Sequence, residues 1–205
     1  MNNIQTALAP VEHPLSAVDA PLLEELLQPR LMLFWGAHTP TRTLLTALTA
    51  LAAQEHTLRV FDGGNRFDGY FVARLARRFS SAAPRAVDPH VVLSRIRLSR
   101  AFTCFQLAEL IENAPANGEP LFVLDLLSTF YDESVPLRDT ERLLSITIAH
   151  LKRLAVIGPV IVGAREPRSL VKERWTLLDR LQIASDGAWL LRSPETTEPV
   201  QPRLL

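Results

Sequence analysis

Apolar positions along the chain fall into short solid runs separated by longer stretches in which they recur every three or four residues. LMLFW (Leu31–Trp35) is apolar throughout, as a strand covered on both faces should be. TLRVFDGG predicts a second strand ending at Asp62, and a brief strand is expected near Ile96. LFVLDLL (Leu121–Leu127), with Asp125 inside it, GPVIVGA and IASDGAWLLR predict three more. Helical spacing fills the intervals. PLLEELLQ follows Asp19 and Pro21, which suit a helix start, and a helix opens near Thr41 to Thr43 and runs to Gln54. FDGYFVARLARRF, DPHVVLS, the segment after Ile96, a long helix from about Asp139 to Ala155 and SLVKERWTLLDRL complete the set. In the long helix Leu143, Leu144, Ile148, Leu151 and Leu154 share one face.

Strands alternating with helices over short connections predict an α/β fold in three layers, a mostly parallel sheet with helices on both faces. Residues 21–192 form the expected core domain. Residues 1–20 read as a flexible N-terminal arm and 193–205 as a Pro-rich C-terminal tail. In such sheets ligands bind where the strands end. Gly36, Asp62, Asp125 and Ala164 all fall at carboxyl ends of predicted strands.

Composition narrows the chemistry. With 22 Lys plus Arg against 22 Asp plus Glu, the chain carries no global charge that asks for nucleic acid. Cys104 is the sole cysteine, so an internal disulfide is excluded, and no pair among the 5 histidines has metal-ligand spacing. No serine stands in G-x-S-x-G, so a hydrolase triad has no support. No apolar run reaches membrane-span length and the first residues lack a signal-peptide pattern, so no membrane partner and a cytoplasmic location are expected. Arg74, Arg77 and Arg78 lie on one side of a predicted helix, which is usually a solvated face.

The first strand and the helix after it hold the densest candidate chemistry. Gly36, four residues, then Thr41, Arg42 and Thr43 stand where G-x-x-x-x-G-K-S/T would stand in a P-loop, whose backbone amides and helix start cradle phosphates. Alone, this spacing is better accounted for by an ordinary strand–turn–helix connection capped by Thr41 or Thr43. Two further segments stand in order behind it. Arg100-Ala101-Phe102-Thr103 followed by Gln106 is similar to the R-A-F/Y-N/T signature of RecA-like recombinases, and LFVLDLLSTFYD resembles their Walker B strand. Together the three segments resemble the RecA-like P-loop ATPases, in the branch of the recombinase paralogues, over about residues 22–192.

That resemblance implies ATP and Mg²⁺ as ligands, with Gly36, Thr41, Arg42, Thr43 and Asp125 at the nucleotide and Thr43 and Asp125 on the metal. It also implies a place in DNA recombination or repair, a RecA-like subunit or a second copy of the chain as partner, and weak DNA contact through Arg165, Arg168, Lys172 and Arg174. The chain departs from the pattern at decisive positions. The family lysine is Arg42, the second loop glycine is Thr41, the activating glutamate is Gly64, and the sensor glutamine position holds Arg165 or Glu166. Arginine for lysine is not a conservative change at a tight phosphate site, and glycine cannot activate water. The expectation is therefore ATP binding with weak or no hydrolysis. The competing one is a pseudo-ATPase interaction module that binds no nucleotide.

Overall fold

A computed structural model of the chain describes residues 20–37, 40–82, 88–167 and 172–191. The arm and tail expected at the two ends lie almost wholly outside these residues, as do Arg168 and positions 38 and 39 of the loop after Gly36. The elements are α1 (Ala20–Leu26), β1 (Leu31–Gly36), α2 (Thr41–Ala53), β2 (Leu58–Asp62), α3 (Gly69–Ala82), α4 (Pro89–Ser94), β3 (Ile96–Arg100), α5 (Cys104–Glu112), β4 (Leu121–Leu124), α6 (Leu137–Ala155), β5 (Val160–Arg165), α7 (Trp175–Ala184) and β6 (Gly187–Leu190). Short 3₁₀ turns span Leu126–Ser128 and Lys172–Arg174.

One six-stranded sheet runs β3-β2-β4-β5-β1-β6, and every pairing is parallel. The period of two along each strand sorts the core into two layers. Leu31, Leu33, Phe61, Val123, Val160 and Val162 pack under α5, α6 and α7, whereas Met32, Phe34, Val60, Phe122 and Ile161 pack under α1 to α4. Helices thus cover both faces, which is why the strands read as solid apolar runs. The α/β, three-layer, parallel architecture expected from the pattern is what the chain adopts.

Helix α2 is the most enclosed helix on its face, buried continuously from Leu44 to Ala52. Thr46 and Thr49 survive there because each hydroxyl donates to the carbonyl one turn back, on Arg42 and Leu45. Gly163 on β5 lets the start of α2 approach the sheet, since a Cβ there would lie 2.5 Å from Leu44 Cδ1. This close approach sets the helix start against the ends of β1 and β5.

Three boundaries differ from the sequence reading. LFVLDLL divides after Leu124, because Asp125 is left-handed (φ 52°, ψ 53°) and turns the chain into the 3₁₀ segment. Helix α6 begins at Leu137, directly after Pro136, two residues ahead of Asp139. Ile183 and Ala184, expected in the closing strand, extend α7 instead, whose buried Leu177, Leu178 and Leu181 set its register. The strand then starts only after Asp186, whose carboxylate accepts from Leu31 N–H at 2.7 Å while its own N–H donates to Leu31 O at 2.9 Å.

Leu48 is fully buried in the middle of α2 and Val156 is 75% exposed beyond the end of α6. Leu48→Ala should cost about 2–5 kcal/mol through the cavity it leaves, and Val156→Ala within about 0.5 kcal/mol, both read from denaturant unfolding.

Candidate functional site

The carboxyl ends of β1, β2, β4 and β5 meet at one edge of the sheet, and the helix start of α2 lies beside them. Pro40 occupies the cap position of α2 without a side-chain bond to the helix, and Leu44 N–H is bonded back to Pro40 O at 3.0 Å. Neither Thr41 nor Thr43 is the cap. Both stand in the first turn, where amides lack intrahelical acceptors and favour anions. The Thr41 hydroxyl is buried with no hydrogen-bond partner, while Arg42 and Thr43 are exposed.

Asp62 closes β2 and is fully buried. Its carboxylate accepts from the N–H groups of Gly64 (3.3 Å), Arg66 (2.8 Å) and Phe67 (2.9 Å), and Arg100 Nε lies 3.7 Å away. It is the organiser of the turn, within which Asn65 adopts φ 52°, a conformation asparagine tolerates well. Asp68, the next carboxylate, caps α3 by accepting from Phe71 N–H at 2.9 Å. Asp62 is thus committed to backbone N–H groups, whereas Asp68 is exposed beside them.

Asp125 sits at the centre, completely buried. Its Oδ2 faces two guanidinium groups, Arg66 Nε at 3.3 Å and Arg165 Nε at 3.7 Å. Gly64 lies directly against it. A Cβ at Gly64 would stand 2.7 Å from both the Cβ and Oδ2 of Asp125. The position where a glutamate was expected is thus filled by the aspartate that follows β4.

Arg165 ends β5 and reaches back over the 3₁₀ turn, donating to Ser128 Oγ at 3.1 Å. Its own carbonyl accepts from the Tyr131 hydroxyl at 2.9 Å. Burial, with the Asp125 charge adding to it, pushes the Tyr131 phenol well above its usual range and keeps it a neutral donor. Arg165, expected on a nucleic-acid surface, therefore belongs to the strand-end cluster. Arg174, expected beside it, turns inward. Only 5% exposed, it donates to Phe130 O and Val135 O, each at 2.7 Å, and approaches Thr140 Oγ1 at 3.4 Å. It ties the loop after β4 to the start of α6. Lys172 opens the 3₁₀ turn ahead of it.

A cavity of about 530 Å³ opens over this edge, lined by Thr41, Arg42, Arg66, Arg74 and Arg165 among others. Among the described residues, Asp68 supplies its one acidic side chain, and Leu45 and Phe71 a smaller apolar part. Four guanidinium groups around one open volume suit a multiply charged oxyanion, because arginine forks match phosphate oxygens. Sequence reasoning placed Arg42 at this site and missed Arg66 and Arg74. Arg66 follows the Asp62 turn immediately, which was the available signal; Arg74 resembled any solvated helix position.

The recombinase-like signature has a local physical role. Thr103 is the N-cap of α5, accepting from Gln106 N–H at 3.2 Å, while Gln106 Oε1 accepts from Phe102 N–H at 2.9 Å. Paired bonds of this kind hold a helix start. Cys104 follows in the core, where burial raises its thiol above the ordinary value. Comparison of the sequence with protein-family models finds no match, and comparison with curated proteins finds none either. Among the described residues, no helix is long and apolar enough to cross a membrane.

Two substitutions test this arrangement. Gly64→Ala should destabilise by about 1–3 kcal/mol through overpacking against Asp125, seen as a lower denaturant midpoint. Arg174→Met strands the buried carbonyls of Phe130 and Val135 and should cost about 3 kcal/mol in the same measurement.

Proposed function

We propose that this chain is a RecA-like, P-loop-derived protein that binds ATP at the carboxyl edge of its sheet and hydrolyses it poorly or not at all. The observation that carries this reading is the cavity beside the first turn of α2, walled by Arg42, Arg66, Arg74 and Arg165. The triphosphate would lie on these guanidinium groups and on the uncapped helix start. The buried Thr41 hydroxyl, which has no hydrogen-bond partner, offers a donor at the same place.

Poor turnover follows from the carboxylates. Hydrolysis needs a group that orients or deprotonates water. Gly64 has none, Asp62 holds three backbone N–H groups, and Asp68 caps α3. The protein would accordingly act through its bound state, beside a RecA-like subunit or a second copy of itself, in DNA recombination or repair. The DNA setting rests on the resemblance of the three sequence segments. Of Arg165, Arg168, Lys172 and Arg174, to which the resemblance gives weak contact with a phosphate backbone, Arg174 is turned inward.

One observation favours the second reading, an interaction module without nucleotide. Asp125, expected to be reached by Mg²⁺ through water, already faces Arg66 and Arg165, so its charge is met without a ligand.

Titration of the full chain with a fluorescent ATP analogue separates the two. Saturable binding that weakens about tenfold in Arg42→Gln, with ATPase activity at background, is expected for an arginine-held triphosphate. Thr43→Ala should have the smaller effect. Absence of binding at millimolar nucleotide sinks the ATP reading in favour of the interaction module.

A further inference from the structure

We propose that the cavity takes its polyphosphate without a divalent cation, with Arg66 and Arg165 standing where a metal would stand. This rests on the ATP-binding reading and narrows its ligand to the metal-free form.

The case lies in the donor set. Magnesium is held by hard oxygen ligands, above all carboxylates that face the substrate phosphates. Two buried carboxylates at this edge, Asp62 and Asp125, are committed within the protein, and the exposed Asp68 caps a helix. Asp62 is buried under the N–H groups of Gly64, Arg66 and Phe67. Asp68 accepts from Phe71 N–H at the start of α3. Asp125 Oδ2 has Arg66 Nε at 3.3 Å and Arg165 Nε at 3.7 Å.

A cation approaching Asp125 would meet two fixed positive charges before it met the carboxylate. A Cβ at Gly64 would stand 2.7 Å from Asp125 Oδ2, so no further side chain fits there beside the arginines. Among the described residues, no three His, Cys, Asp or Glu side chains group to hold a metal. Asp125, the carboxylate expected on Mg²⁺, is therefore poorly placed to hold it.

The residues present do fit an uncomplexed phosphate chain. Arg66 and Arg165 line the cavity and touch Asp125, so each guanidinium bridges the buried carboxylate to the open volume. Arginine has five N–H donors and can serve both partners. Arg42 and Arg74 extend the same surface outwards. Magnesium bound to the phosphates would cover the oxygens these forks use and bring a like charge to them. It should compete with the protein for the ligand.

Calorimetric titration of the full chain tests this with two probes, ATP and inorganic tripolyphosphate, each in EDTA and in excess Mg²⁺. Both probes should bind in EDTA and weaken about tenfold or more in Mg²⁺. Asp125→Asn, close to isosteric, removes the charge that holds Arg66 and Arg165 and should tighten binding in EDTA severalfold. Its thermal unfolding midpoint reports that the fold is kept. If Asp125→Asn unfolds, Arg74→Gln, which lines the cavity from α3, should weaken metal-free binding instead. Binding that requires Mg²⁺ overturns the metal-free proposal and leaves ATP binding standing. Absence of binding by ATP in both conditions overturns the ATP reading together with this one.

Discussion

A carboxylate with no exposure to solvent is the constraint around which this sheet edge is built. Taking Asp125 out of water costs on the order of several kcal/mol unless opposite charge and hydrogen bonds replace the hydration. Arg66 comes from the turn after β2 and Arg165 from the end of β5, so compensation draws together the ends of three strands. Tyr131 and Ser128 then fix Arg165 from the loop after β4. Loss of both arginines would leave the Asp125 charge uncompensated in a place without solvent exposure.

The same constraint explains the glycine. Position 64 lies where the aspartate needs room, and a side chain there collides with it. An exchange that looks, in sequence, like the removal of a catalytic group is in three dimensions a packing requirement of the neighbouring strand. The positive φ of Asp125 belongs to the same compromise: the backbone adopts a conformation uncommon for an L-residue to bring the carboxylate under both arginines.

The layers, the order of elements and the clustering of strand ends were legible because periodicity reports burial directly. Solid runs such as LMLFW and LFVL are strands between two helical layers, and the stripe from Leu143 to Leu154 is a covered helix face. Asp62 was legible as a turn former from the glycines behind it. The inward course of Arg174 was not, because an arginine beside Lys172 and Glu173 reads as surface until the loop from Phe130 to Val135 is folded against it. Nor was the junction of Arg66 with Arg165, which lie far apart in sequence and meet only through β4 and β5. The place of Asp125 after an apolar strand was legible; its environment, set by residues from other strands, could not be read from its own segment.

The ends of the sheet carry a separate consequence. The outermost strands, β3 and β6, have five and four residues. On β3, Arg97 reaches Glu119 at 3.5 Å and Arg100 reaches Asp62 at 3.7 Å, so the border bears charge along its length. Short, charged borders resist unplanned pairing with other chains. A parallel sheet has no hairpins to terminate it and would otherwise offer two open hydrogen-bonding rims. The arginines that anchor β3 to its neighbours thereby also make that rim a poor template for another chain.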